Sequence, residues 1–341
     1  MSAPPRVVIA DDSAFMRRLI ADALDKHGFE VLASVDDGDQ ALAACEKLRP
    51  DVLSLDLAMP GLDGIGVLRS MRKTNLPVAV VVVSAFSPAH GARAVDALAE
   101  GAVELVAKPA NGDGLGAFVA DLGAKVQLAA DSRRKRPTAS APVIRARPAR
   151  RRSEGPRAVM IACSTGGPQA LTELLPKLPA PLGAGTLIVQ HMPEGFTGSL
   201  AARLDSASPL NVREARAGDR LDPNCALVAP GGRHLRLRAD RTAKLDDQAP
   251  IGALRPRADL TIKDVAEVFG GDMLLVVLTG MGRDGLEGAR EVHRRGGRIL
   301  AEAESSCTVY GMPRAIVDAG LADGVFDLGS LPQAIVKEVT T

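Results

Sequence analysis

The feature that most constrains the fold of this chain is a repeated alternation of short apolar runs with amphipathic segments. In the N-terminal part, five Val- and Ile-rich runs of strand length alternate with segments of helical periodicity. The runs are Arg6–Ala10, Glu30–Val35, Asp51–Leu55, Val78–Val83 and Val103–Ala107. Strands that alternate with helices predict a doubly wound parallel sheet with helices on both faces. The alternation returns from Arg157 onward, so we expect an α/β protein with two such sheets.

Length and charge distribution indicate two domains. With 341 residues, 46% of them hydrophobic, the chain can form two separate cores. Residues 131–156 lack hydrophobic periodicity, are rich in arginine, and mix Pro and Ser in linker proportions. We therefore predict domains at 1–130 and 157–341, joined by a basic flexible linker at 131–156.

Several classes of protein are disfavoured by what the sequence lacks. No signal-peptide pattern begins the chain, and the longest apolar run, Pro77–Phe86, is too short to span a bilayer. The arginine-rich linker has no interleaved aromatic residues, so its charge does not indicate nucleic-acid binding. The four cysteines match no metal-binding spacing. We expect a cytoplasmic protein with reduced thiols that neither inserts into a membrane nor binds nucleic acid.

Polar side chains follow the strands of the first domain. Asp11 and Asp12 come after the first run, Asp56 after the third, Ser84 after the fourth and Lys108 after the fifth. The C-terminal ends of parallel strands share one edge, so these groups should converge there. Carboxylates at such an edge suit Mg²⁺, with one left to attack phosphorus. Any one acid could instead be a helix cap, but five polar groups together favour a site.

The first domain resembles the response-regulator receiver family over about residues 5–125, in the stretches A-D-D-S-A-F-M-R, L-D-L-A-M-P-G-L-D-G, V-V-S-A and A-K-P. The resemblance implies a flavodoxin-like (βα)5 fold and phosphorylation of Asp56 by a chemotaxis histidine kinase. It also implies a Mg²⁺ site made by Asp11, Asp12, Asp56 and the carbonyl of Ala58, with Asp12 the more direct ligand of the acidic pair.

Two further receiver residues take their roles from the same resemblance. It implies that Ser84 senses the phosphoryl group and that Lys108 pairs with it. The family often has an aromatic switch residue three positions before this lysine, and Leu105 stands there instead. We therefore expect the signal to travel by a different packing change.

Three strand ends of the second domain carry candidate catalytic residues. The run Arg157–Gly167, R-A-V-M-I-A-C-S-T-G-G, places Ser164 where a buried strand opens into a helix. His191 follows the run Gly185–Gln190, and Asp284 lies in T-G-M-G-R-D-G after Met273–Leu278. Neighbouring parallel strands would bring the three together as a Ser-His-Asp triad. Alternatively, Ser164 is only the N-cap of the helix.

The residues alone leave the choice of histidine open. His234, in A-P-G-G-R-H-L, also sits in a Gly-rich turn after an apolar run, and we favour His191 over it about two to one. The order Ser, His, Asp and the absence of a G-x-S-x-G elbow disfavour a standard α/β hydrolase. In the Gly-rich loop that carries Asp284, the backbone amide of Met281 is the candidate oxyanion donor.

Residues 157 to about 338 resemble the catalytic domain of chemotaxis-type protein-glutamate methylesterases. The matching segments are I-A-C-S-T-G-G-P, V-Q-H-M-P-E-G-F-T-G-S-L-A-A-R-L, A-P-G-G-R-H-L, L-T-G-M-G-R-D-G and V-Y-G-M-P-R-A. The resemblance implies that Ser164, His191 and Asp284 are the triad and leaves His234 without an assigned role. It implies hydrolysis of γ-glutamyl methyl esters on methyl-accepting chemotaxis receptors, commonly with deamidation of selected glutamines, and no cofactor for the esterase reaction.

The pairing of a receiver with a hydrolase predicts that phosphorylation regulates the enzyme. Two alternative functions remain open. We expect the unphosphorylated receiver to cover the triad edge and phosphorylation of Asp56 to relieve this inhibition. A DNA-binding response regulator is the first alternative, and it predicts a small helix-turn-helix output domain. The second keeps the hydrolase but places it in a chemosensory system with an output other than motility.

Overall fold

The computed structural model describes residues 3–85, 88–109, 114–134 and 155–340. The chain forms two compact units, Met1–Arg136 and Pro137–Thr341, each with its own hydrophobic core. The first four residues of the predicted linker are helical, because the last helix of the first unit continues to Arg134. Residues 135–154 of that linker lie outside the described residues.

The first unit is a parallel sheet with alternating helices. Its elements are β1 (Arg6–Ala10), α1 (Ala14–Lys26), β2 (Glu30–Val35), α2 (Gly38–Leu48), β3 (Val52–Leu55), α3 (Gly64–Lys73), β4 (Ala79–Ser84), α4 (Pro88–Ala99), β5 (Glu104–Ala107) and α5 (Leu115–Arg134). The strand order is β2-β1-β3-β4-β5, and every pair is parallel. This is the flavodoxin-like order, in which ligands bind beyond the carboxyl ends of the strands.

Burial and capping explain these elements. Every residue of β3 and β4 is buried, as expected for strands covered by helices on both faces. Each large aliphatic side chain buried there contributes about 1.5–3 kcal/mol. Ser13, Asp37 and Asp63 accept backbone hydrogen bonds as the N-caps of α1, α2 and α3. The acids at the strand ends are therefore not the caps of these helices.

The second unit has a larger parallel sheet and a two-stranded antiparallel ribbon. Its elements are β6 (Ala158–Cys163), α6 (Gly167–Leu174), β7 (Thr186–Gln190), α7 (Thr197–Ala207), β8 (Asn211–Glu214), β9 (Cys225–Val228), β10 (His234–Leu237), β11 (Ala243–Asp246), α8 (Ala258–Phe269), β12 (Met273–Val277), α9 (Leu286–Arg295), β13 (Arg298–Glu302), α10 (Met312–Asp318), β14 (Gly324–Phe326) and α11 (Leu331–Thr340). The parallel order is β14-β13-β12-β6-β7-β9-β8, and β10 pairs with β11 in the antiparallel ribbon.

The strand order places a topological switch at β6. From β6 the chain passes to β7 on one side and returns much later to β12 on the other. Crevices that bind ligands open where the winding direction changes in this way. Both units confirm the predicted α/β class. Across the described residues, no helix is long and apolar enough to cross a membrane.

Candidate active site

The three predicted catalytic residues follow three adjacent strands of the second unit. Ser164 comes directly after β6 and His191 directly after β7, while Asp284 lies in the loop after β12. Backbone pairing continues past the strand ends: the His191 amide donates to the Cys163 carbonyl at 3.1 Å and the Ser164 amide to the Thr279 carbonyl at 3.0 Å. The sheet thus brings all three residues to one edge.

Ser164 does not cap the helix that follows it. Helix α6 begins at Gly167, and its N-cap is Gly166, which has a left-handed φ of 77° and makes no side-chain cap. The N-cap alternative for Ser164 is therefore wrong, because the helix starts two residues too late for the serine side chain to serve as its cap. The Ser164 side chain is partly exposed and is not committed to a helix terminus.

Asp284 is a buried carboxylate surrounded by N–H donors. His191 Nε2 lies 2.8 Å from Asp284 Oδ2. The amides of Ala258, Asp259 and Gly285 donate to the same carboxylate at 2.7, 3.0 and 2.9 Å. Burial alone would raise the pKa of Asp284, but His191 and these amides outweigh it and lower the pKa to about 2. Asp284 is therefore ionised at neutral pH.

The partner of His191 determines which ring nitrogen can act as a base. A carboxylate can only accept a hydrogen bond, so Nε2 carries the proton in the contact with Asp284. Nδ1 is then the unprotonated nitrogen of the neutral ring. It is buried and has no hydrogen-bond partner among the described residues. In this geometry a proton from a nucleophile would go to Nδ1.

His234 contacts the segment whose amides hold Asp284. It is fully buried at the start of β10, where its Nδ1 accepts the Arg257 amide at 3.2 Å. The next two amides along the chain are those of Ala258 and Asp259. Arg257 also pairs with Asp284, its Nε lying 3.4 Å from Oδ1. His234 thus supports the donors around Asp284.

Sequence reasoning missed most of this support for Asp284. Backbone amides carry no sequence signal, so the contributions of Ala258 and Asp259 were not predictable. Asp259 lies in the first turn of α8. Its carboxylate is buried and accepts the Gly288 amide at 2.8 Å. Burial raises the pKa of Asp259 despite this hydrogen bond.

The loop that carries Met281 passes directly beside Ser164. A Cβ on Gly280 would lie 2.7 Å from Ser164 Cβ, so only glycine allows this approach. Met281 follows it, with its side chain 59% exposed. Within the described residues, the Met281 amide donates no backbone hydrogen bond. An amide in the loop that passes Ser164 is compatible with the predicted oxyanion role, which stays a prediction.

The first unit gathers its acidic residues at the corresponding edge. One carboxylate oxygen from each of Asp11, Asp12 and Asp56 lies within 4.8 Å of the others. Lys108 Nζ lies 2.8 Å from Asp11 Oδ2 and 2.9 Å from Asp56 Oδ2. Carboxylate oxygens at this spacing are the donors that Mg²⁺ prefers, and the residues present fit that ion.

Burial dominates the electrostatics of this acidic cluster. It raises the pKa of Asp11, and Lys108 offsets the effect only in part. Burial by itself would lower the pKa of Lys108, but the contacts with Asp11 and Asp56 raise it. The lysine is therefore a permanent cation that partly neutralises an excess of negative charge.

Other receiver residues lie around the cluster. Ser84 is the buried last residue of β4, and its carbonyl accepts the Lys108 amide at 2.8 Å. Ala58 is exposed, two residues after Asp56. Leu105 is buried in β5, and its carbonyl accepts a hydrogen bond of 2.7 Å from Lys125 Nζ. The roles of these residues stay predictions.

The two units define a class of protein, in which an α/β receiver domain is followed by an α/β hydrolase domain. Comparison with known families agrees: residues 7–120 match the response regulator receiver domain, and residues 159–335 match the CheB methylesterase domain. The chain belongs to the CheB methylesterase family.

Individual relatives match nearly the whole chain. The protein-glutamate methylesterase/protein-glutamine glutaminase of Symbiobacterium thermophilum is 42% identical over 98% of this chain and 97% of its own. Protein-glutamate methylesterase/protein-glutamine glutaminase 5 of Myxococcus xanthus is 43% identical over 94% of this chain and 93% of its own. The crystal structure of the Thermotoga maritima CheB methylesterase catalytic domain superposes with a TM-score of 0.52 at 40% identity, covering 54% of this chain and 99% of that domain.

Proposed function

We propose that this chain is a phosphorylation-regulated esterase that hydrolyses γ-glutamyl methyl esters on chemoreceptors, releases methanol, and also deamidates selected receptor glutamines. The observation that carries the proposal is the His191–Asp284 contact of 2.8 Å at the sheet edge that also carries Ser164. The full-length similarity to protein-glutamate methylesterases supports the choice of substrate.

The reaction is acyl transfer through Ser164. The serine Oγ attacks the ester carbonyl while His191 Nδ1 takes its proton, and Asp284 stabilises the imidazolium that forms. The Met281 amide donates to the oxyanion of the tetrahedral intermediate. The imidazolium returns its proton to the departing methoxide, which leaves as methanol. Water then attacks the acyl-enzyme by the same route and regenerates Ser164.

Asp56 is the phosphoacceptor that controls this reaction. Asp11, Asp12, Asp56 and the Ala58 carbonyl would hold Mg²⁺, which supplies positive charge to the phosphoryl oxygens. The Asp56 carboxylate attacks phosphorus on a phosphohistidine of the chemotaxis kinase, and the histidine leaves. Lys108 pairs with the resulting phosphoryl group, and the Ser84 hydroxyl donates a hydrogen bond to it.

The direct test is Ser164→Ala assayed for methanol release from a methylated receptor fragment. We expect a loss of about 10⁴-fold or more in kcat, because the nucleophile is absent. Mass spectrometry of the same receptor would identify the glutamates and glutamines that change. Full activity of the alanine variant would overturn the catalytic assignment.

Control by the receiver is tested by deleting residues 1–156. We expect the deletion to raise the basal esterase rate, because the receiver is proposed to restrain the triad in the unphosphorylated state. The full-length protein with Asp56→Asn is the matched control, and it should keep the low basal rate. A deletion variant slower than the unphosphorylated full-length protein would instead indicate activation by direct contact.

The alternative of a DNA-binding response regulator is not favoured, because the CheB methylesterase match occupies residues 159–335, where a helix-turn-helix would be needed. A gel shift on the preparation used for the methanol assay separates the two functions. The second alternative keeps the esterase but places it in a chemosensory system with an output other than motility. Identifying the receptor that the enzyme demethylates decides between this output and motility.

A further inference from the structure

Gln190 is a buried polar residue that the reaction above does not use. It is the last residue of β7, pairs in register with Cys163 at the end of β6, and is 2% exposed. His191 follows Gln190 in the chain, and Ser164 follows its cross-strand partner Cys163. A buried amide in a core position costs free energy unless its donors and acceptor are satisfied.

The amide nitrogen of Gln190 bridges the two catalytic residues. Nε2 donates to the Ser164 carbonyl and to the His191 carbonyl, each at 2.9 Å. Both partners can only accept, so the orientation of the side-chain amide follows from the chemistry. Both hydrogens of the amide are thus used on the two residues of the proposed nucleophile and base pair.

The position of these contacts explains why a side chain is needed there. The last rung of the β6–β7 ladder is the His191 amide donating to the Cys163 carbonyl. Beyond it, the chain turns into α6 on one side and into a loop on the other. The Gln190 side chain supplies the next cross-strand link where the backbone no longer can.

The acceptor end of the same amide is left without a partner. Gln190 Oε1 is buried and has no hydrogen-bond partner among the described residues. It lies against Gly167, where any Cβ would overlap it. A glycine at 167 therefore provides the space that the amide oxygen occupies. A buried acceptor without a hydrogen bond is unfavourable. Gln190 carries this cost at Oε1 while its Nε2 bonds both Ser164 and His191.

We propose that Gln190 is a positioning residue that sets the separation between Ser164 and His191. Without its two hydrogen bonds, the two loops are free to move apart beyond the last rung of the ladder. A displacement of about 1 Å between reacting groups can cost about 100-fold in rate. The proposal rests on Ser164 and His191 being the catalytic pair.

The test replaces Gln190 with methionine, which has a similar length and no donor, in the full-length protein. We expect kcat for methanol release to fall about 10- to 100-fold with KM within about twofold of wild type. The melting temperature should not fall in parallel, because the substitution also removes the orphan acceptor. Phosphonylation of Ser164 by an organophosphonate should slow by a similar factor.

Two further variants separate positioning from general disruption of β7. Thr186→Val is the matched control, since Thr186 is a buried residue of the same strand whose hydroxyl also has no partner among the described residues. It should leave kcat unchanged. Gly167→Ala should lower kcat by displacing the Gln190 amide, and it should have little further effect in a Gln190→Ala background.

The outcomes distinguish this proposal from the proposed function. A Gln190→Met enzyme with kcat within twofold of wild type overturns the positioning role while Ser164→Ala remains inactive. If Gln190→Met does not fold, a Gly167→Ala enzyme with normal kcat overturns the role instead. If Ser164→Ala keeps full activity, the proposed function itself fails.

Discussion

Asp11 in the first unit and Asp284 in the second are both buried carboxylates at the C-terminal edge of a parallel sheet, but their pKa values shift in opposite directions. Asp11 has one backbone donor, the Ser13 amide, and shares Lys108 with Asp56. Asp284 has three backbone donors besides His191. His191 and the fixed backbone N–H groups around Asp284, and not burial alone, therefore set the direction of its pKa shift.

The difference matches what each edge is proposed to do. An acidic cluster short of donors attracts a divalent cation, which supplies the missing positive charge. A carboxylate saturated with fixed donors keeps its charge and its place during a reaction. One edge is built to receive a ligand, and the other to hold a histidine still.

The largest expected effect comes from Asp284→Asn. The substitution keeps the shape but removes the charge that fixes the His191 tautomer, so kcat should fall about 10⁴-fold. Methanol release measured at saturating receptor checks this. Asp318→Asn, in an exposed pair with Arg314, is the control and should be neutral. A loss below tenfold at Asp284 would mean that another group orients the base.

The pH dependence of stability should differ between the two carboxylates. The folded pKa of Asp284, about 2, is below its usual value of 3.8, so its stabilising contribution is present above pH 3.8 and is lost as pH falls toward 2. Acid unfolding of the second unit should accordingly show this loss in the wild type and not in Asp284→Asn. Because its pKa is so low, Asp284 should not cause any fall in activity as the pH is lowered from neutral.

A smaller loss of kcat is expected from substitution of His234. The size of this loss tests whether His191 or His234 is the catalytic base. His234→Ala removes the acceptor for the Arg257 amide, and we expect kcat to fall about tenfold as the segment holding Asp284 loosens. His234→Asn keeps an acceptor near the Nδ1 position and should recover most of the rate. An alanine variant as inactive as His191→Ala would identify His234 as the base.

The smallest effect is expected from substitution of Asp11, and it is a change in the free energy of unfolding of the first unit. Its pKa is raised, so Asp11 contributes stability at low pH that is lost as pH rises through the raised value, and at neutral pH its charge is unfavourable. Asp11→Asn should therefore stabilise the receiver by on the order of 1 kcal/mol in EDTA. Thermal unfolding checks this, with the exposed Asp22→Asn as control. A destabilised variant would contradict the comparison.

Much of the architecture was predictable because the strands are buried on both faces. The predicted runs for β1 and β2 have the same bounds as the strands, and β12 ends one residue before its predicted end. Continuous apolar runs bounded by polar residues leave little freedom in register. The antiparallel ribbon of β10 and β11 was not predicted, because these short strands mix charged and apolar residues.

The candidate site was predictable only where side chains carry the chemistry. Ser164, His191 and Asp284 follow recognisable strand ends, and the structure brings them to one edge. The helix start was misplaced, since Ser-Thr-Gly-Gly resembles a capped helix and the left-handed Gly166 delays it. The link through Gln190 was not predictable, because its partners are the backbone carbonyls of Ser164 and His191. Every residue has such a carbonyl, so the sequence gives no signal for the contact.

The donors around Asp284 have a consequence for the hydrophobic core. Ala258 and Asp259 are the first residues of α8, and that helix has no side-chain cap of its own. Asp284 accepts their amides and so caps α8 from another part of the chain, at the positive end of the helix dipole. Ile262 and Val265 of the same helix are fully buried in the core. A substitution that frays the first turn of α8 would therefore slow the chemistry without touching any reacting atom.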